Sequence, residues 1–477
     1  MLMAAISLRI PPVSPLSLNL ANNQVANMAA FLDILRCGDW LTLARMRLWA
    51  LAVLVAAAGG FLYLVVTSDG LMDYQDRPLG TDFSNVYAAG TYVLEGKPAA
   101  PFDPRLQHAR EREIFGEKTP FYGWHYPPFF LWLAAALALM PYQLALVVWQ
   151  AATLGLYLWA IRSIIGSSSW PGSSPAKAGA DALMSRPSTS SLAAPPQVVD
   201  ARDGIGKDGA SRLLPGHDGA WLLLALAFPA VFVNLGHGHN GFLTAALIGF
   251  ALVQLDARPA LAGILFGLLA YKPQFGIMIP LVLVATGRWR TVFAAGATVA
   301  LLTLVATLAF GTETWRAFFT FAEYTRVHVL ETGETGWHKI QSVFSVARMW
   351  GASIPLAYAV QGAVTIVVAG ALVWLWRSSA SFALKAAALC LAAILATPYS
   401  LDYDLMMLAP AIAFLALDGL ARGFGLYEKT ALAFLWVVPL FARSVAEATF
   451  IPFGVIAMLV MFALVMRKAA VIPEPVV

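Results

Sequence analysis

The sequence predicts an all-α polytopic membrane protein with about twelve transmembrane helices, on three observations. Hydrophobic residues make up 59% of the chain and charged residues only 12%, half the share of about 25% usual in soluble domains. Mean hydropathy is +0.70. Apolar runs recur along the chain, most of them near the ~20 residues that carry a helix across ~30 Å of hydrocarbon. Lys and Arg gather at the flanks of these runs rather than on one face, so the net charge of +4 reports membrane orientation and no nucleic-acid partner is expected. Cys37 and Cys390 are too few and too far apart for a disulfide framework or a cysteine metal cluster.

Taken in order, residues 1–47 form a cytoplasmic segment without the order of a cleaved signal peptide. Met28 is an alternative start, and nothing in the segment needs to fold. The region 48–163 holds runs at 48–66, 127–140 and 142–163, of which 127–140 is short. Ser, Pro and Gly dominate 164–218, which cannot bury enough apolar area to offset ordering entropy and reads as a disordered linker. Counting spans puts this linker outside, whereas Arg162 and Arg212 favour inside. Central runs at 219–236, 240–256, 259–285 and 291–310 fill 219–310, and a second outward loop is expected over 311–341. The last region, 342–466, carries runs at 353–376, 381–397, 404–420, 428–445 and 449–466, followed by a tail at 467–477. Arg45, Arg47, Arg288, Arg290, Arg377, Lys385, Arg422, Arg467 and Lys468 all fall on one side of this map. By the positive-inside rule that side is cytoplasmic, so both termini lie inside a plasma (inner) membrane and the loops 67–126, 311–341 and 398–403 face outward. No internal repeat is visible.

The loop 67–126 reads as folded and membrane-facing. Phe83, Tyr87, Thr91 and Leu94 share one face of a helix over about 83–95, which Gly96 stops. A second helix takes Asp103 as N-cap and Pro104 as its first residue, carries the charged run 108–113 and ends at Gly116. Trp124-His125-Tyr126-Pro127-Pro128 then opens the next span, where prolines need no N–H partners.

Several polar residues have a claim to chemistry. Asp82 begins a helix at the membrane surface, where desolvation raises a carboxylate towards the pKa of a general base; an N-cap is the competing and compatible role. Lys272 lies inside an apolar run, where an ammonium costs about 2.5–3.5 kcal/mol and calls for a phosphate or acidic partner, unless it snorkels. Pro273 breaks the helix beside it and leaves irregular backbone of the kind that lines a cavity. His237 and His239 have a spacing open to metal but read more simply as a polar turn, with Asn240 capping the next helix. His338, Lys339, Gln341 and Ser342 gather an imidazole, an ammonium, an amide and a hydroxyl where the chain re-enters the membrane, a mixture suited to an anion or to an interfacial belt. Asp402 and Asp404 sit in a further outward turn, placed to pair with Lys272 or His338 or to cap a helix.

In order along the chain, Asp82-Phe83 with Val86-Tyr87-Ala88-Ala89, Tyr126-Pro127-Pro128, Gly238-His239-Asn240, Lys272-Pro273-Gln274, His338-Lys339-Ile340-Gln341-Ser342 and Pro398-Tyr399-Ser400-Leu401-Asp402 resemble the glycosyltransferases of family 87. The resemblance covers about 80–405; the histidine-rich piece around His237 and His239 and the long linker depart from it. It implies the C-type membrane glycosyltransferase architecture and a polyprenyl-phosphate sugar donor, with mannose as the sugar of the characterised members. It further implies Asp82 as catalytic base and His338 and Lys339 beside the donor phosphate. Tyr87, His125, Tyr126, Asn240, Lys272, Gln274, Gln341 and Asp402 complete the candidate set for donor phosphate or substrate. A lipid-phosphate sugar is already activated, so aligning an acceptor hydroxyl, removing its proton and stabilising the departing phosphate suffice. There is no glycine loop for a nucleotide, no metal or other cofactor is called for, and the expected reaction is an inverting single displacement onto a lipid-linked or polysaccharide acceptor at the outer face. A lipid-linked glycan ligase, a transporter of a lipid-linked sugar or ion, and a non-catalytic scaffold are the other classes.

Overall fold

Side chains of Thr42, Asp103, Ser342, Ser353 and Ser381 cap the starts of five helices, and Gly116, Gly238 and Gly423 follow the ends of three. The computed structural model describes residues 27–166 and 218–471, so the expected linker lies almost wholly outside the described residues. Among the described residues there are no strands, only isolated bridges. The first helix, α1 (27–37), departs from the expectation that nothing before residue 48 needs to fold. Tertiary contacts hold it: Trp40 Nε1 donates to Thr430 Oγ1 at 3.1 Å, Thr430 Oγ1 to Leu35 O at 2.7 Å, and the Tyr427 N–H to Arg36 O at 2.9 Å.

Among the described residues, six helices are long and apolar enough to cross a membrane, and eight if each of two bent pairs counts as one span. The six are α2 (Leu43–Val66), α6 (Tyr142–Gly166), the long α12 (Trp289–Thr325), α14 (Ile354–Arg377), α16 (Leu408–Arg422) with the 3-10 turn before it, and α19 (Phe453–Val471). The bent pairs are α7 (Asp218–Leu226) with α8 (Pro229–His237), at 48°, and α17 (Glu428–Val437) with α18 (Ala442–Thr449), at 77°. The other expected spans are short apolar helices: α5 (Leu131–Ala138), α9 (Gly241–Gln254), α10 (Pro259–Leu268), α11 (Met278–Ala285) and α15 (Phe382–Leu395). The run expected as one helix over 259–285 is two, because Pro273 cannot donate to the helical ladder. The expected loop 311–341 is largely helical: Gly311, with φ 77° and ψ 168°, is non-helical and kinks α12, and a second helical stretch follows it to Thr325.

The core sits where these short helices meet. In α15 every residue from Ala386 to Leu395 is buried, which explains a helix hydrophobic all round. Helix α9 packs on α6 and returns through α10 as an antiparallel pair, while α10 lies along α12 through Gly263 and Gly267. A Cβ on Gly263 would stand 2.4 Å from Thr291 O, so the small residue sets the helix separation. This arrangement sends the start of α9, the break at Lys272 and the turn before α16 to one end of the bundle. The turns after α9, α11 and α16 go to the other end. Against the first end pack α3 (Thr81–Leu94) and α4 (Pro104–Phe115) of the 67–126 segment.

Candidate active site

Helix α3 starts from Gly80, which holds φ 70° as its N-cap. Asp82 is therefore not the cap but the second helical residue, its carboxylate beside the free N–H groups and positive end of α3. His237, the last residue of α8, reaches it: Nδ1 is 2.7 Å from Thr81 Oγ1 and 3.8 Å from Asp82 Oδ2. Gly238 makes the approach possible with φ 63°, and a Cβ there would fall 2.6 Å from Phe83 Cβ. The two histidines serve different partners, since His239 stacks on Tyr403 at 3.4 Å and bonds Tyr126 Oη through Nε2 at 3.2 Å. Among the described residues no group of three His, Cys, Asp or Glu is arranged for a metal ion. Nor does Asn240 cap α9 with its side chain, as expected; Asn234 Oδ1 accepts the Gly241 N–H at 2.9 Å instead. The Asn240 side-chain oxygen is buried without a partner.

Lys272 has its partner within the protein. Its Nζ lies 2.5 Å from Asp404 Oδ1, both side chains almost fully buried, and 5.3 Å from the Tyr403 ring centre. Asp404 Oδ2 in turn accepts the Leu401 N–H. Asp402 takes a different cation: its Oδ2 is 3.2 Å from Arg443 of α18, and its Oδ1 accepts the Tyr403 N–H. The segment carrying His338 and Lys339 is stitched to the same turn, because Ile340 and Leu401 form an antiparallel bridge and the Gln341 N–H donates to Ser400 O at 2.6 Å. Gln341 is pressed onto α19, where a Cβ on Gly454 would meet its Oε1, and its Nε2 donates to His338 O at 3.3 Å.

Lys339 is half-buried and makes no ion pair among the described residues. It lies in the field of Arg443, Asp402, Arg77 and Asp82, and burial lowers its pKa. Burial likewise lowers that of His338, whose Nε2 is 3.8 Å from Glu447. At Asp82 burial raises the carboxyl pKa; His237 opposes the shift, Asp402 adds to it, and Lys272 and Lys339 oppose it. The result is a carboxyl group whose pKa stands above the ordinary aspartate range.

The remaining candidates are more peripheral. Tyr87 Oη donates to Met140 O and its ring meets Tyr142 edge-on, so it ties α3 to the start of α6. His125 bonds Thr325 Oγ1 through Nδ1 at 3.0 Å against Phe321, and burial pushes it down to about 4. Gln274 is half-buried in the 3-10 turn Pro273–Gly276. Sequence reasoning missed Arg443 and Glu111. Glu111 of α4 is fully buried, accepts the Tyr122 N–H at 3.0 Å and bonds Gln107, which also donates to Asn85 O one turn beyond Asp82. Burial pushes the Glu111 carboxyl up to about 9, and Asp82 adds to the shift.

Residues 124–398 match glycosyltransferase family 87. The chain belongs to that family. No curated protein and no solved structure matches it. The family-87 match takes in Lys272, His338 and Lys339, whereas Asp82 comes from the segment before it and Asp402, Asp404 and Arg443 from the segment after. Membership makes the chain a glycosyltransferase, and its apolar helices make it a membrane one.

Proposed function

We propose that this family-87 enzyme moves a hexose, with mannose the first choice, from a polyprenyl-phosphate sugar to an acceptor hydroxyl at the outer face of the plasma membrane. The observation that carries the reading is the partly buried Asp82 carboxylate at one end of the bundle, in the electrostatic field of His237, Asp402, Lys272 and Lys339. In the proposed step the acceptor oxygen attacks the anomeric carbon from the face opposite the phosphate while Asp82 takes its proton. The bond to the phosphate oxygen breaks, its electron pair leaves with the polyprenyl phosphate, and the configuration inverts. Lys339, Arg443 and His338 stabilise the departing charge. Lys272 is committed to Asp404, so its role is to hold the 402–407 turn against the broken helix and not to meet the phosphate directly. A transporter reading fits less well, because it needs Lys272 or Asp402 open to cargo and both are paired.

The test is Asp82→Asn in membranes supplied with a panel of radiolabelled polyprenyl-phosphate hexoses. The variant is expected to insert and fold as wild type and to lose transfer by about 10²- to 10⁴-fold, the worth of a general base. Near wild-type transfer removes Asp82 from the role, and no transfer from any donor by wild type removes the donor class.

A further inference from the structure

At the end of the bundle away from Asp82, the turn from α11 into α12 borders an open cleft of about 400 Å³ lined by residues that include Asp256, Pro259, Arg288, Trp289, Arg290 and Thr291. We propose that this cleft is a binding site for a phosphate group of net negative charge, carried by an anionic phospholipid head group of that leaflet, as opposed to a zwitterionic one, or free in solution.

Three observations converge on it. First, the cleft lies at the N-terminus of α12, whose positive dipole end favours an anion; the Trp289 and Thr291 N–H groups already donate to Gly287 O and Arg288 O, which leaves the Arg290 N–H for a ligand. Second, the site contains donors with nothing to bond. Thr291 is fully buried, lines the cleft and has no partner for its Oγ1, and Arg288 Nε is also buried without one. Buried polar atoms are nearly always satisfied, so an orphaned hydroxyl and guanidinium N–H on one cleft point to an acceptor that belongs there. Third, the charge has the right sign. Arg288 Nη1 lies 2.5 Å from Asp256 Oδ1 and so neutralises the one carboxylate in the lining. Exposed Arg290 and Arg258 add positive charge and form no ion pair among the described residues. Lys385, in electrostatic reach of both Arg288 and Asp256, adds more.

Arginines at helix ends are also what membrane orientation requires. Orientation explains their side of the membrane but not a buried hydroxyl left without a partner. Trp289, about half exposed at the mouth, is the residue type that settles at head-group depth, which favours a lipid as the carrier.

The experiment uses the full chain in nanodiscs of phosphatidylcholine. Phosphatidylglycerol is titrated in one arm and inorganic phosphate is added in the other, with retained ligand read by native mass spectrometry and stability by thermal midpoint. Wild type is expected to bind phosphatidylglycerol saturably. Arg290→Gln and Thr291→Val each weaken that binding by about tenfold, the size of a hydrogen bond to a charged group, whereas Arg377→Gln at the same end does not. Saturable phosphate binding with the same variant pattern supports the site with a soluble anion as its occupant. Binding that is absent in both arms, or equal in wild type, Arg290→Gln and Thr291→Val, overturns the proposal. Should Thr291→Val fail to fold, Arg290→Gln decides alone, since Arg290 is exposed. Neither residue belongs to the candidate active site, so sugar transfer in phosphatidylcholine should be unchanged in both variants.

Discussion

Arg443 and Lys339 share one carboxylate unequally: Arg443 pairs with Asp402, and Lys339 stands in the field of both without a partner of its own. Two cations against one anion leave positive charge to meet a phosphate. If that charge stabilises the leaving group, Arg443→Gln and Lys339→Met each lower kcat/KM for the lipid-phosphate donor by about 10- to 100-fold, or about 1.4–2.7 kcal/mol. The double variant loses less than the sum, because both groups act on one charge. A donor titration of the three variants checks this, and an unaltered kcat/KM in both single variants removes the pair from phosphate stabilisation. Asp82 and Lys272 were legible in the sequence because each placed a charge where its cost asked for a purpose. Arg443 was not, since its meaning comes from Asp402, 41 residues away. Glu111 was hidden for a related reason: the charged run 108–113 reads as a solvated face, and only the packing of α4 against α3 buries one of its members.

At the scale of elements, the capping of α4 was readable from local chemistry alone, with Asp103 accepting the Arg105 N–H and Pro104 as the first residue. The start of α3 and the continuation of α12 past Gly311 were not, because positive φ at Gly80 and Gly311 can either end a helix or begin and redirect one. Tyr92 Oη to Leu106 O and the Arg110–Glu95 pair tie α3 to α4, and so does the chain Glu111, Gln107, Asn85, which makes stability depend on pH. The ordinary glutamate pKa of 4.5 rises to about 9 in the folded protein. Between those values the folded state keeps a proton that the unfolded chain has released, so this group's contribution is full below the unfolded pKa and is lost as pH rises. Glu111→Gln removes the titration while keeping the shape. The variant should come close to wild type near pH 5 and exceed it near pH 8.5, by about 4 kcal/mol at the limiting slope of about 1.4 kcal/mol per pH unit. Thermal midpoints of the purified protein at the two pH values decide it, and a difference that does not grow with pH contradicts a neutral Glu111.

Across the whole molecule, the twelve expected apolar runs all reappear as helix, yet six of them only as short, divided or bent helices. Hydropathy reads transfer to lipid and not continuity, so it merged α10 with α11 across Lys272. That break is tied 132 residues along the chain by the Lys272–Asp404 pair. Removing one partner leaves a buried charge uncompensated, so Lys272→Met should cost about 3–5 kcal/mol, and Lys272→Met with Asp404→Leu should recover most of it. A double variant as unstable as the single in chemical unfolding would refute this account of the pair. The proposed orientation of the bundle is open to a test built on its two cysteines, of which Cys37 is exposed and Cys390 fully buried. Only α2, 24 residues long and so about 36 Å at 1.5 Å per residue, separates Cys37 from the 67–126 segment. If α2 crosses the membrane, the two must lie on opposite faces. A membrane-impermeant maleimide should therefore leave wild type unlabelled in intact cells and label it in inverted vesicles. Lys118→Cys in a Cys37→Ser background should do the reverse, since Lys118 is well exposed on the segment that carries Asp82. Labelling of both positions from one side would mean that α2 does not span, and it would detach Asp82 from the outer face on which the proposed acceptor chemistry depends.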